Sequence, residues 1–225
     1  MLEFFENLNW SALNQILLRA VPALICVTLH EIAHGYVAYK MGDSTAKDMG
    51  RLSLNPIRHI DPFGLISMLL IGFGWAKAVP INMNNFDDPK KGMAITAVAG
   101  PLMNIIIAFF AMIFYGVSAV LFYRYDWGRT VCSLFSTTAY LSCAFAVFNL
   151  LPIPPLDGSK VLFSFLPDDK YEQLMVYEKY GMAILMVIVI TGVLNRPLIA
   201  ASSGLFSLLT PVATGVMKLI INIIH

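Results

Sequence analysis

The sequence predicts an all-α polytopic membrane protein with about five transmembrane helices plus a short re-entrant segment or membrane-associated hairpin. Three observations carry this expectation. Of the 225 residues, 58% are hydrophobic and 13% charged, whereas a soluble domain runs near 45–50% and 25%. The mean hydropathy is +0.71. The apolar residues gather in runs, several of them about as long as the ~20 residues that cross a hydrocarbon core as helix. A soluble enzyme and a disordered chain are thereby excluded. So is a nucleic-acid binder, because a net charge of +1 offers a polyanion no attracting field. The lipid bilayer is the solvent, and a single domain over 1–225 uses nearly all the residues in its spans.

In chain order, the first span is expected at about Arg19–Lys40, after an amphipathic start where Asn9, Trp10 and Ser11 suit an interface. Residues 41–62 are polar and turn-rich. The next apolar run, Phe63–Trp75, has 13 residues, three of them glycine, which is short for a crossing. A polar loop over Ala76–Gly92 leads into a long run, Met93–Tyr123, then a short loop and a span over Val131–Leu151. Pro152, Pro154 and Pro155 stop that helix, since each lacks an amide donor. Leu156–Tyr180 reads as a loop plus a surface helix. Two apolar runs, Gly181–Leu194 and Pro197–Ile224, close the chain. The N-terminus carries Glu3 and Glu6 without the basic start of a cleavable signal. Cys26, Cys132 and Cys143 match no zinc or redox spacing and are expected as small packing residues.

The first span contains His30-Glu31-Ile32-Ala33-His34. Helical residues four apart share a face, so both imidazoles can reach one metal ion, and Glu31 beside them can serve a bound water as general base. Ionisable groups at membrane depth are costly and mark function. Catalytic zinc takes a third protein ligand and keeps a position open. His59, in a polar loop beside Arg58 and Asp61, and the terminal His225 are expected to be solvated. Asp157 is the better candidate, at the end of the Asn149-Leu-Leu-Pro-Ile-Pro-Pro-Leu-Asp157-Gly158 segment. On its own, an Asp-Gly after prolines also reads as a turn.

Together, H-E-x-x-H within a span and N-x-x-P-x-P-x-x-D-G after a later one resemble the site-2 protease family of intramembrane zinc metalloproteases. Ala99-Gly100-Pro101-Leu102-Met103-Asn104 resembles the family's A-G-P-x-x-N. Gly50–Pro56 with His59–Pro62, then Gly74-Trp75-Ala76-Lys77, resembles loops of its compact branch, which lacks PDZ and CBS domains. The resemblance covers roughly residues 20–160. It implies that His30, His34 and Asp157 bind one Zn2+ ion and that Glu31 activates water. It implies further that Asn104 and Asn149 bind the substrate backbone. The implied substrates are membrane proteins with transmembrane segments, cut within or beside those segments. The implied setting is a bacterial or archaeal cytoplasmic membrane, with a catalytic core at about 19–160 and C-terminal helices at about 174–224. Ala78 departs from the proline frequent at that position in relatives.

Charge gives a check independent of the resemblance. The first 11 residues carry no Lys or Arg, whereas Lys47, Arg51 and Arg58 follow the first span, with Lys40 at its edge. The positive-inside rule places that loop in the cytoplasm and the N-terminus outside. Asp157 then reaches the depth of the histidines only if Phe63–Trp75 dips in and returns. The competing reading is a non-proteolytic metal-binding protein or metal transporter. A pathway wants polar groups at successive depths, and the spans over 93–123 and 131–151 offer little beyond Asn104, Thr137, Thr138 and Ser142.

Overall fold

Four long helices form the body of the computed structural model, which describes residues 10–71 and 74–224. Helix α1 runs Trp10–Lys40, α4 Pro89–Leu121, α5 Asp126–Asn149 and α9 Asn195–Ile224. Among the described residues these four are long and apolar enough to cross a membrane, with α1 qualifying from Leu18. Glu3, Glu6, Gly72 and His225 lie outside the described residues.

Helix α4 is central and packs against α1, α5 and α9. Its contact with α5 and α9 is built from Ala108, Ala111, Met112, Ala139, Cys143 and Ala213, all buried. Small side chains let helix backbones approach closely, which matters where lipid is as apolar as the side chains and burial alone drives little. Asp88 begins α4 by accepting the Lys91 amide at 3.0 Å, with Pro89 in the first turn. This cap and the N1 proline move the start four residues ahead of the expected Met93.

The expected re-entrant run is a hairpin. Helix α3, Pro62–Ile71, starts where the Asp61 carboxylate accepts the Gly64 amide at 2.9 Å. Beyond it the chain returns, Ile60 and Ala76 pair in an antiparallel bridge, and the Lys77 amide donates to the His59 carbonyl at 2.9 Å. Gly64 permits this closure, because a β-carbon there would run into the Trp75 backbone. The segment therefore leaves and re-enters at one place.

Two expectations are corrected, for His59 and for Asp157. His59 is buried at 1% exposure, its Nε2 2.8 Å from the Ser53 carbonyl oxygen, because the 41–62 loop folds on itself and onto the returning strand. Asp157 opens a short helix, α6 (Asp157–Phe163), in place of an isolated turn. The apolar run at 181–194 forms α8, Gly181–Thr191, of 11 residues. At 1.5 Å per residue it spans about 16 Å, half a hydrocarbon core. It follows a surface helix, α7 (Asp168–Tyr177), and a 3-10 turn, Glu178–Tyr180.

Candidate metal centre

Helix α1 brings His30 and His34 onto one face, as their spacing requires, with Nε2 atoms 2.9 Å apart. The prolines after α5 turn the chain so that Asp157, at the start of α6, faces them. Its Oδ2 lies 3.2 Å from each Nε2. Among the described residues this trio is the one group of His, Cys, Asp or Glu able to share an ion, with all donor atoms within 4.8 Å of one another. Tetrahedral zinc with ligands at ~2.0–2.1 Å would put donors about 3.3 Å apart, so the separations fit within a few tenths of an ångström.

The surroundings also fit a cation. Both histidines are 6% exposed, and Asp157 Oδ2 is sealed from solvent without a hydrogen bond elsewhere. Burial works against the charge of Asp157. A buried carboxylate of this kind requires a paired or ligated positive charge.

One stripe of α4 covers the rings. Thr96, Gly100 and Asn104 are spaced by four and lie on one face. The Thr96 carbonyl oxygen is 2.7 Å from His34 Nδ1. Backbone carbonyls only accept, so His34 carries its proton on Nδ1 and leaves Nε2 free for a ligand bond. At Gly100 a β-carbon would stand 2.6 Å from His30 Nε2 and closer to His34 Nε2. No side chain fits there. Asn104, 1% exposed, has its amide 3.0 Å from His30 Nδ1.

Glu31 is 9% exposed, and its Oε2 accepts the Val79 amide at 2.8 Å. Val79 belongs to the extended segment after the hairpin, which Arg51 also holds through a 2.7 Å bond to the Lys77 carbonyl. Asn149, the last residue of α5, turns its amide back to the Phe145 carbonyl at 3.0 Å. Cys26 faces α5, with Sγ 2.9 Å from Ser142 Oγ, and does not join the trio. Thr96 and Val79 were missed by sequence reasoning, because both act through backbone atoms that carry no residue signature. Arg51 entered that reasoning as a loop charge and as part of the Gly50–Pro56 segment, without a partner.

Known proteins similar to this chain are named zinc metalloproteases. The family model described as Peptidase family M50 matches residues 120–193, which include Asp157 but not the two histidines. "Putative zinc metalloprotease YwhC" of Bacillus subtilis is 38% identical over 179 residues, covering 76% of this chain and 79% of that protein. "Putative zinc metalloprotease Rip2" of Mycolicibacterium smegmatis is 28% identical over 181 residues, covering 77% of this chain and 66% of that protein. A zinc metalloprotease of Methanocaldococcus jannaschii is 26% identical over 185 residues, 81% of this chain and 44% of that protein. No solved structure matches the chain.

Proposed function

The chain belongs to peptidase family M50, the site-2 proteases, as a zinc metalloprotease of the membrane, and on that premise we propose that it hydrolyses peptide bonds within or next to transmembrane segments of other membrane proteins. The observation that carries the proposal is the convergence of His30, His34 and Asp157 within 4.8 Å with Glu31 next along the same helix. In this reading the trio holds one Zn2+ ion and Glu31 is the general base. Residues 1–225 act as one domain with its catalytic core at about 19–160, its N-terminus outside and its site toward the cytoplasm.

When bound, zinc would bring the pKa of a water toward ~7 and polarise a peptide carbonyl. Glu31 takes the proton from the attacking water and returns it to the leaving amine. Val79 keeps one Glu31 oxygen engaged, so the other is the one directed at the water. The helices around the site exclude bulk water, which strengthens each of these interactions.

An intact substrate helix hides its carbonyls in i to i−4 bonds, so the substrate must unwind locally. The extended segment at 76–80 offers it an edge. Lys77 and Val79 spend their amides on His59 and Glu31, and alternation in an extended strand leaves the exposed Ala78 amide and carbonyl facing the other way. A stretched substrate can pair there by strand addition. Asn149, implied by the family resemblance, would steady the substrate backbone from the end of α5.

The test uses reconstituted protein and a membrane substrate. Glu31→Gln retains zinc and loses cleavage by at least 10²-fold, whereas Asp157→Ala loses zinc. Unchanged cleavage in Glu31→Gln would end the proposal.

A further inference from the structure

We propose that Asn104 is a positioning residue whose side-chain oxygen accepts the Nδ1–H of His30 and thereby aims the His30 Nε2 lone pair at the metal position. This rests on the metal-centre reading above.

The argument begins with the partner histidine. Thr96, an acceptor, receives the His34 Nδ1 proton at 2.7 Å, which frees Nε2. His30 has the same requirement, because a ring protonated on Nε2 cannot ligate through it. The group facing His30 Nδ1 at 3.0 Å is the Asn104 amide. An amide presents either its oxygen or its nitrogen by a half-turn that leaves its shape unchanged. With nitrogen toward Nδ1, the ring must accept there, its proton sits on Nε2, and Asn104 Oδ1 is buried without a partner. With oxygen toward Nδ1, Nε2 is released.

The second orientation also gives the remaining amide position a use. It then holds two N–H donors, which can meet a substrate carbonyl, whereas an acceptor there cannot, because a carbonyl oxygen only accepts. Asn104 is 1% exposed and sits one turn beyond Gly100. The same helix thus supplies the acceptors for both imidazoles, eight residues apart, with the ring cradle midway between them.

Two variants separate the acceptor from the donor. Asn104→Asp keeps an acceptor and removes the N–H donors, while Asn104→Leu, of similar volume, removes both. Zinc affinity is read by competition with a chromophoric chelator. The expected result is wild-type affinity or tighter for Asn104→Asp and 10–100-fold weaker binding for Asn104→Leu. A purely structural role would weaken both alike, and a substrate-only role would change KM and leave zinc affinity equal in all three proteins; either result overturns the proposal. Should the leucine variant fold poorly, 15N spectra of histidine-labelled, zinc-loaded wild type decide the matter. A hydrogen-bonded Nδ1–H on His30 supports the proposal, and a bare Nδ1 refutes it. If wild type binds no zinc, the metal-centre reading falls and this proposal with it. If wild type binds zinc and the leucine variant binds as tightly, the positioning role alone falls.

Discussion

Val79 donates its backbone N–H to Glu31 Oε2 at 2.8 Å, joining the extended loop to a helix residue 48 positions earlier. The donor is a backbone atom, so its importance is tested by removing the amide hydrogen. Val79→Pro does this and keeps an apolar side chain at a buried position. A hydrogen bond to a charged group is worth about 1.5–3 kcal/mol, so cleavage should fall by roughly 10-fold or more, with zinc content unchanged in metal analysis. A proportional loss of zinc would instead mark a general disturbance of the fold.

Gly100 and Gly204 form a matched pair for substitution by alanine. At Gly100 the added methyl meets both imidazoles, whereas at Gly204 on α9 nothing lies within 4 Å. Gly100→Ala is expected to lower zinc occupancy and abolish cleavage. Gly204→Ala is expected to leave both unchanged, since the backbone there is ordinary helix. Equal behaviour of the two variants would contradict the close approach of α4 to the site.

The loop architecture depends on Asp43, which is fully buried. Its carboxylate accepts the Thr45 amide and hydroxyl, the Asn82 amide and the Asn85 side chain. Burial alone would raise its pKa; these hydrogen bonds outweigh burial and lower it below the ordinary Asp value. Because the folded group titrates below its unfolded value of about 3.9, its contribution is complete above that pH. It fades as the pH falls through the folded value. Asp43→Ala should destabilise the protein at neutral pH by on the order of 2 kcal/mol, and the difference from wild type should shrink in acid. Thermal unfolding in detergent from pH 7 to 3 measures both.

The hairpin predicts how surface labels report the two sides of the membrane. Exposed positions Ile57 and Asn84 flank it, and the Ile60–Ala76 bridge holds its two ends together. Ile57→Cys and Asn84→Cys should react with a membrane-impermeant maleimide from the same side, the cytoplasmic one. Labelling from opposite sides would mean that 63–75 crosses.

Much of this molecule was readable from residues alone where the information is local. The i, i+4 spacing of His30 and His34 decides that their side chains share a face, because helix geometry allows nothing else. The 13-residue length and three glycines of 63–75 already argued for a return. Less was readable where a residue's environment comes from elsewhere in the chain. His59 has the sequence setting of a solvated loop residue and is buried by its own loop. The run at 181–194 has the composition of a span and forms only 11 residues of helix.

The sequence by itself determined that the chain lives in lipid and that one helix carries two imidazoles and a carboxylate. These follow from hydrophobic transfer and from helical periodicity, both local properties. Only the tertiary structure decided that Asp157 lies 3.2 Å from both histidines and that Gly100 is the surface on which their rings rest. It also decided that backbone atoms of Thr96 and Val79 orient His34 and Glu31. Those relationships arise from how α1, α4 and the hairpin pack, and a backbone hydrogen-bonding group is the same in every residue except proline. Its chemical role is therefore set by where the fold carries it.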